Sequence, residues 1–427
     1  MTKRIFTQLI IGVACLPLGL ALQTTASLAS SFGLTHTLLN PNPGSNDFFG
    51  SVIDISGNNI VVGAPLDDTQ GTNSGAVYLF DALTGNLDAT FLAPDSPADN
   101  YFFGSGVAID GNNVLIGASG ENAGSGAAYL FDVDTGFSQK FLNPFPEVDS
   151  HFGEAVAISG NYALIGATDA DKGVTNSGAA YLFDITTGAL LYDFADPTRD
   201  VGDAFGAFVA IDGDNVLVDA PRDDTDASNG GTVYLFDADS GNLVRPFPNP
   251  TPAADEFFGV PAIDGDNVLI GARAHDFGGN DSGAAYLFDI DGTLLQTIPN
   301  PTPAVDDFFG IAPAIDGDRI LIGAQNDDVS GSNSGVAHLF DLDGTLLQTF
   351  LNPTPANGDR FGHDVAIDGN ILVIAADEDD SGATNAGAVY VYRLPIDPVS
   401  TPDPSSFLGL GTLALAAGTL LRRKRQG

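Results

Sequence analysis

Cysteine is almost missing from this 427-residue chain, and its one copy, Cys15, falls in an apolar stretch near the N-terminus. Neither a disulfide framework nor a thiolate metal site can hold the remainder together. Tryptophan is absent, and basic residues are scarce, 15 Lys and Arg against 55 Asp and Glu. Six of the 15 lie at the two ends, whereas every acid lies between residues 32 and 403, so that span carries nine basic against 55 acidic residues, a balance of −46. A field of that sign repels nucleic acid and anionic membrane surfaces and attracts cations. Helical period is also missing. The five histidines, His36, His151, His275, His338 and His363, show no ligand spacing, and the serines of the loops have no recurring base beside them.

What the chain does contain is one sentence written seven times. Phe-Gly opens each copy, at Phe49, Phe103, Phe152, Phe205, Phe258, Phe309 and Phe361, at a mean pitch of about 52 residues. A Gly-Ala or a variant follows 13 or 14 residues later, at Gly63, Gly117, Gly166, Asp219, Gly271, Gly323 and Ala375. Then comes a Tyr-Leu-Phe-Asp tetrad such as Tyr129 to Asp132, with His338 to Asp341 and Tyr390 to Tyr392 as variants. Each copy holds four short apolar runs separated by Gly and Asn turns, which supply the positive φ of tight hairpins. Runs such as Ala128-Tyr129-Leu130-Phe131 have no polar face, so they must be covered on both sides. Seven such units, each packed face to face on the next, make an all-β, seven-bladed propeller of four-stranded antiparallel blades.

The ends of the array supply a closure test. Leu34 to Pro43 matches the fourth run of later copies, such as Leu346 to Pro355, yet stands before the first Phe-Gly, while the last copy stops after its third run at Tyr392. A strand from Leu34 to Asn40 should therefore complete the seventh blade and remove the exposed sheet edge.

These motifs resemble the FG-GAP repeat family, whose members include the integrin alpha-subunit propeller and many secreted bacterial proteins. The likeness covers roughly residues 34 to 393 and implies a propeller used outside the cell for adhesion or ligand binding; the lack of any non-repeating polar cluster separately leads to the expectation that it is not an enzyme. Many members carry an Asp-x-Asp-x-Asp-Gly calcium loop between the first two strands. Here that turn reads Asp110-Gly111-Asn112-Asn113 or Asp316-Gly317-Asp318-Arg319, too short to give a cation its six to eight oxygens.

Both ends read as addressing segments. Lys3 and Arg4 precede an apolar stretch from Ile5 to Leu22, with small residues from Ala26 to Ser31, which divides the chain into a signal peptide at 1–30 and the propeller at 31–394. Residues 395–406 form a proline-rich linker, and 407–427 a short apolar segment with the basic tail Arg422 to Arg425. Thr401-Pro402-Asp403-Pro404 resembles the PEP-CTERM sorting signal of Gram-negative bacteria, with Asp403 where that motif has Glu. The expectation is export to the extracellular side or cell surface, with transient or C-terminal membrane anchoring of a monomeric propeller.

Chain direction places the two short turns of every copy on one rim and the two long connections on the other. The long ones carry the acids, including Asp67-Asp68, Asp223-Asp224, Asp327-Asp328 and Asp377 to Asp380. Solvated Asx turns are the plain reading of that face. The sharper one is Ca²⁺ held by Asp67, Asp68 and Asn73, and again by Asp327, Asp328 and Asn333, since carboxylates and amides are hard oxygen ligands. The expected role is binding of an extracellular protein or polysaccharide through this face. The alternatives are a carbohydrate-active hydrolase or lyase using its carboxylates, and a structural matrix component. Asp219, a carboxylate at a glycine position, reads either as repeat drift or as a local site.

Overall fold

A computed structural model describes residues 31–95 and 99–395; the expected signal peptide, sorting signal and basic tail lie outside them. Seven four-stranded antiparallel sheets surround a central axis. In the first blade the strands are Val52–Ser56, Asn59–Ala64, Ala76–Asp81 and Leu87–Phe91, running from the axis outward. The innermost turn is tight because Gly57 takes φ 61°, a conformation costly for any residue with a Cβ.

The ring closes as the repeat offset requires. Gly33–Leu39 pairs antiparallel with Ala388–Arg393, Leu34 facing Tyr392 and Leu38 facing Val389, so the N-terminal strand is the outer strand of the last blade.

Strand alternation explains the doubly apolar runs. Ile60, Val62, Tyr78 and Phe80 point back to the seventh blade, where they join Val373, Val389 and Val391. Their neighbours Val61, Val77 and Leu79 point forward into the second blade, against Phe103, Ile116 and Tyr129. The core is thus a set of layers between adjacent blades. The outer strands are half-solvated, with residues such as Leu346 and Leu347 exposed and Phe350 buried, and the inner strands are partly open where they line the axis.

The Phe-Gly corner links one blade to the one before it. Phe309 is fully buried and stands edge-on to Phe340 at 6.1 Å between centroids, within its own blade. Its backbone N–H donates to the Ser282 carbonyl of the preceding blade, 3.1 Å away. The glycine beside it, Gly310, takes φ 93° and presents its carbonyl to Gly271, where an added methyl group would collide with it. Glycine is needed at both positions because two backbones meet there.

The fifth blade departs from this pattern. Its inner strand, Phe258–Asp264, is one residue shorter than Phe309–Asp316, it pairs Val260 with Gly271, and Gly259 is not in the left-handed region. Across from that straightened corner stands Asp219, whose carboxylate fills the space the other blades leave to a bulging glycine. Substitution and deletion compensate each other, which repeat drift at one position does not explain.

Candidate functional site: the long-loop rim and channel mouth

The rim is built from pairs of loops belonging to successive blades. Asn100 N–H donates to the Thr72 carbonyl at 2.8 Å, and Asn73 Nδ2 donates to Asn100 Oδ1 at 2.8 Å. Within the first loop, Asp67 is fully buried and both its oxygens are engaged. One accepts from Thr69 N–H at 2.7 Å and the other from the Tyr78 hydroxyl at 2.7 Å. Exposed Asp68 accepts from Asn73 N–H at 2.7 Å, holding Asn73 at φ 52°. The sixth blade repeats this: Asp327 accepts from Val329 N–H and the Thr302 hydroxyl, and Asp328 accepts from Asn333 N–H at 2.7 Å.

The six expected calcium ligands therefore do come together in loops, but chiefly as turn formers. Among the described residues no group of three or more His, Cys, Asp or Glu side chains is arranged to hold a metal ion. In the connections from each outer strand to the next inner strand, one acid of each loop also turns inward in several blades, as at Asp47, Asp203, Asp307 and Asp359. Asp307 is buried, accepts from Asn300 Nδ2 and Ala304 N–H at 2.9 and 2.6 Å, and burial pushes its pKa up to about 6. Asp47 and Asp359 make the same pairs with Asn40 and Asn352, and burial raises both.

A carboxylate under the tetrad tyrosine is a relationship the sequence reading missed. Asp67, Asp223 and Asp379 each accept from the hydroxyl of the Tyr 11 residues later, Tyr78, Tyr234 and Tyr390, at 2.7, 2.6 and 2.9 Å. The signal was present as a fixed Asp-to-Tyr offset. Where the acid is replaced by Ala170, the Tyr181 hydroxyl is left without a partner.

Down the axis runs a cavity of about 730 Å³ lined by the inner strands of all seven blades. Its walls mix Ala, Val and Ile side chains with exposed polar surface, and a few charged groups are set into them. Asp54 accepts from Ile109 N–H of the second blade at 2.8 Å, and Asp364 of the seventh accepts from Ile53 N–H at 2.7 Å. Burial, with neighbouring carboxylates adding to it, raises Asp54 to about 6 and Asp364 to about 7. Glu154, Arg222 and Arg273 line the mouth on the long-loop side. Asp219 lies fully buried behind Arg273. One oxygen accepts from Phe208 N–H at 2.7 Å and the other has no partner, and burial holds its pKa well above the usual range.

Sheet order and closure define a seven-bladed β-propeller whose loops gather on one face around the axial channel. The FG-GAP repeat model matches residues 32–80, 86–131, 146–183, 199–236, 252–288, 302–340 and 350–392, more than half of the chain, which belongs to that family. No curated protein matches the chain.

Proposed function

We propose that the protein is a non-enzymatic binding or adhesion propeller, exported to the extracellular side or cell surface, that recognises a protein or polysaccharide partner through its long-loop face. The observation that carries this reading is the interlocked rim. Neighbouring loops are cross-bonded at Asn73 and Asn100 and their acids are fixed by backbone donors, so the face is a preorganised, predominantly acidic surface around a recess. A surface of that kind loses little conformational freedom when a partner docks.

Calcium has a place in this reading at the exposed Asp68 and Asp328, each of which commits one oxygen to its loop and turns the carboxylate to solvent. A protein and glycan array probed with the 31–400 propeller, with and without calcium, tests the proposal. Saturable binding lost on altering rim residues is the expected result. Uniform silence across both arrays, or release of products from an arrayed glycan, would overturn it.

A further inference from the structure

We propose that Arg222 and Arg273 form a carboxylate-binding site at the long-loop mouth of the axial channel, and that its ligand is the C-terminal carboxylate of a peptide segment carrying lysine or arginine. The inference rests on the binding role just proposed and names the ligand chemistry of that face.

Cations are the rare species here, and most of them are committed. Lys140 pairs with Asp95 and Glu121, Lys172 with Asp193, Arg245 with Asp291, Arg319 with Asp318 and Arg360 with Glu378. Four arginines, Arg199, Arg222, Arg273 and Arg393, make no ion pair among the described residues, although acids outnumber bases about sixfold in the propeller span, and of these Arg222 and Arg273 line the channel. They follow the Ala of the Gly-Ala position in blades four and five, two places and one place after it, and other blades carry Leu66, Asp169 or Asp377 there. Both side chains line the channel, and Arg273 rests over the Phe257 ring at 5.1 Å. The two guanidinium groups, on successive blades and lining one channel, are near enough for like-charge repulsion to act between them, and an anion bound by both would relieve it. Burial lowers the Arg273 pKa, with Asp219 opposing and Arg222 contributing to the drop. Asp219 acts on Arg273 through space but makes no ion pair with it: it is sealed in the blade interface with its free oxygen against Gly259, which leaves the channel side of the guanidinium open to a ligand.

The surroundings suit one carboxylate rather than many. Phe208, Pro221, Val260 and Ile311 give that side of the mouth an apolar wall, which strengthens a charge-assisted Arg–carboxylate bond by excluding water. Glu154 and Asp364 face the same channel, and the rim outside is acidic. A polyuronate would carry repeated negative charge past those carboxylates. A peptide terminus brings a single carboxylate to the arginines and sets its own cations against the acidic rim, so charge complementarity favours the peptide.

The test turns on a reversal of order. Binding to the full chain is measured at low ionic strength for an acetylated lysine-glycine-lysine-glycine-glycine peptide with a free C-terminal carboxylate and for its C-terminal amide. The amide is the more cationic, so attraction to the acidic rim alone ranks it first. The site ranks the acid first, by about tenfold, the effect of one good charged contact. Arg222→Gln, a change at an exposed side chain, should restore the amide to first place, and Arg273→Gln should do the same if its melting curve shows a folded ring. Equal or tighter binding of the amide, an order unchanged in Arg222→Gln, no measurable binding of either peptide, or tighter binding of trigalacturonate than of the acid would each overturn the assignment. Array binding that survives Arg222→Gln would leave the wider binding role standing while removing this site.

Discussion

Asp368 of the last blade accepts a hydrogen bond from Gly57 N–H of the first at 2.6 Å, joining residues 311 positions apart in the chain. The same hook recurs around the ring. The last residue of each inner strand, Ser56, Asp110, Ser159, Asp212, Asp264, Asp316 or Asp368, accepts from the turn glycine of the next blade. The short turns that are poor calcium loops are thus connectors. Removing one acceptor should cost about 1 kcal/mol, since the group is partly exposed and the bond charge-assisted. Asp368→Ala should lower the melting temperature measurably, Asp368→Asn by less, and equal losses would show that the carboxylate's hydrogen bond is not what stabilises the closure.

Deleting residues 31–43 removes the strand paired with Ala388–Arg393 and uncovers an edge. A sharply lower melting temperature and association in solution are expected. An unchanged melt would contradict the closure.

Phe309→Ala empties a fully buried site between Phe340 and His338. The expected loss is about 3 to 5 kcal/mol by denaturant unfolding, and a loss below about 1 kcal/mol would place the ring outside the core. Gly117→Ala should be comparably disruptive because the new methyl would meet the Gly153 carbonyl, whereas Gly33→Ala, with open space around it, should be silent.

Acid should stabilise the ring between pH 8 and pH 5. Asp54, Asp307 and Asp364 have folded pKa values of about 6, 6 and 7, above the ordinary carboxyl value, so in this window the folded state holds protons that the unfolded state has released. Stability therefore falls as pH rises through those values. Exposed carboxyls such as Asp81 and Asp132, lowered by Thr hydrogen bonds, act only below the ordinary range. Buried His338, lowered to about 4, opposes the trend. Calorimetry should show the melting temperature rising toward pH 5, less so in Asp364→Asn and more so in His338→Tyr. A flat profile in the parent protein would refute the assignment.

Millimolar calcium should raise the melting temperature beyond sodium chloride of equal ionic strength, since a ligand bound only by the folded state adds stability. Asp68→Ala with Asp328→Ala should remove the excess. Superimposable curves in the two salts would leave those carboxylates as turn formers alone.

Blade number, strand runs and the closing offset were legible in the sequence because each rests on local pattern: alternation with both faces apolar, glycine turns, and a fourth run displaced to the N-terminus. Phe309 and Tyr129 were legible as core for the same reason. The acids were not, because an Asp that makes a solvated turn and an Asp buried beneath a tyrosine look alike along the chain. Only packing decided that Asp67 serves Tyr78, that Asp219 faces a shortened corner at Gly259, and that Arg222 and Arg273 share a channel mouth. The last two relationships join successive blades about 40 to 50 residues apart, brought together by the turn of the ring, and the first depends on which way a loop carboxylate folds over its own blade.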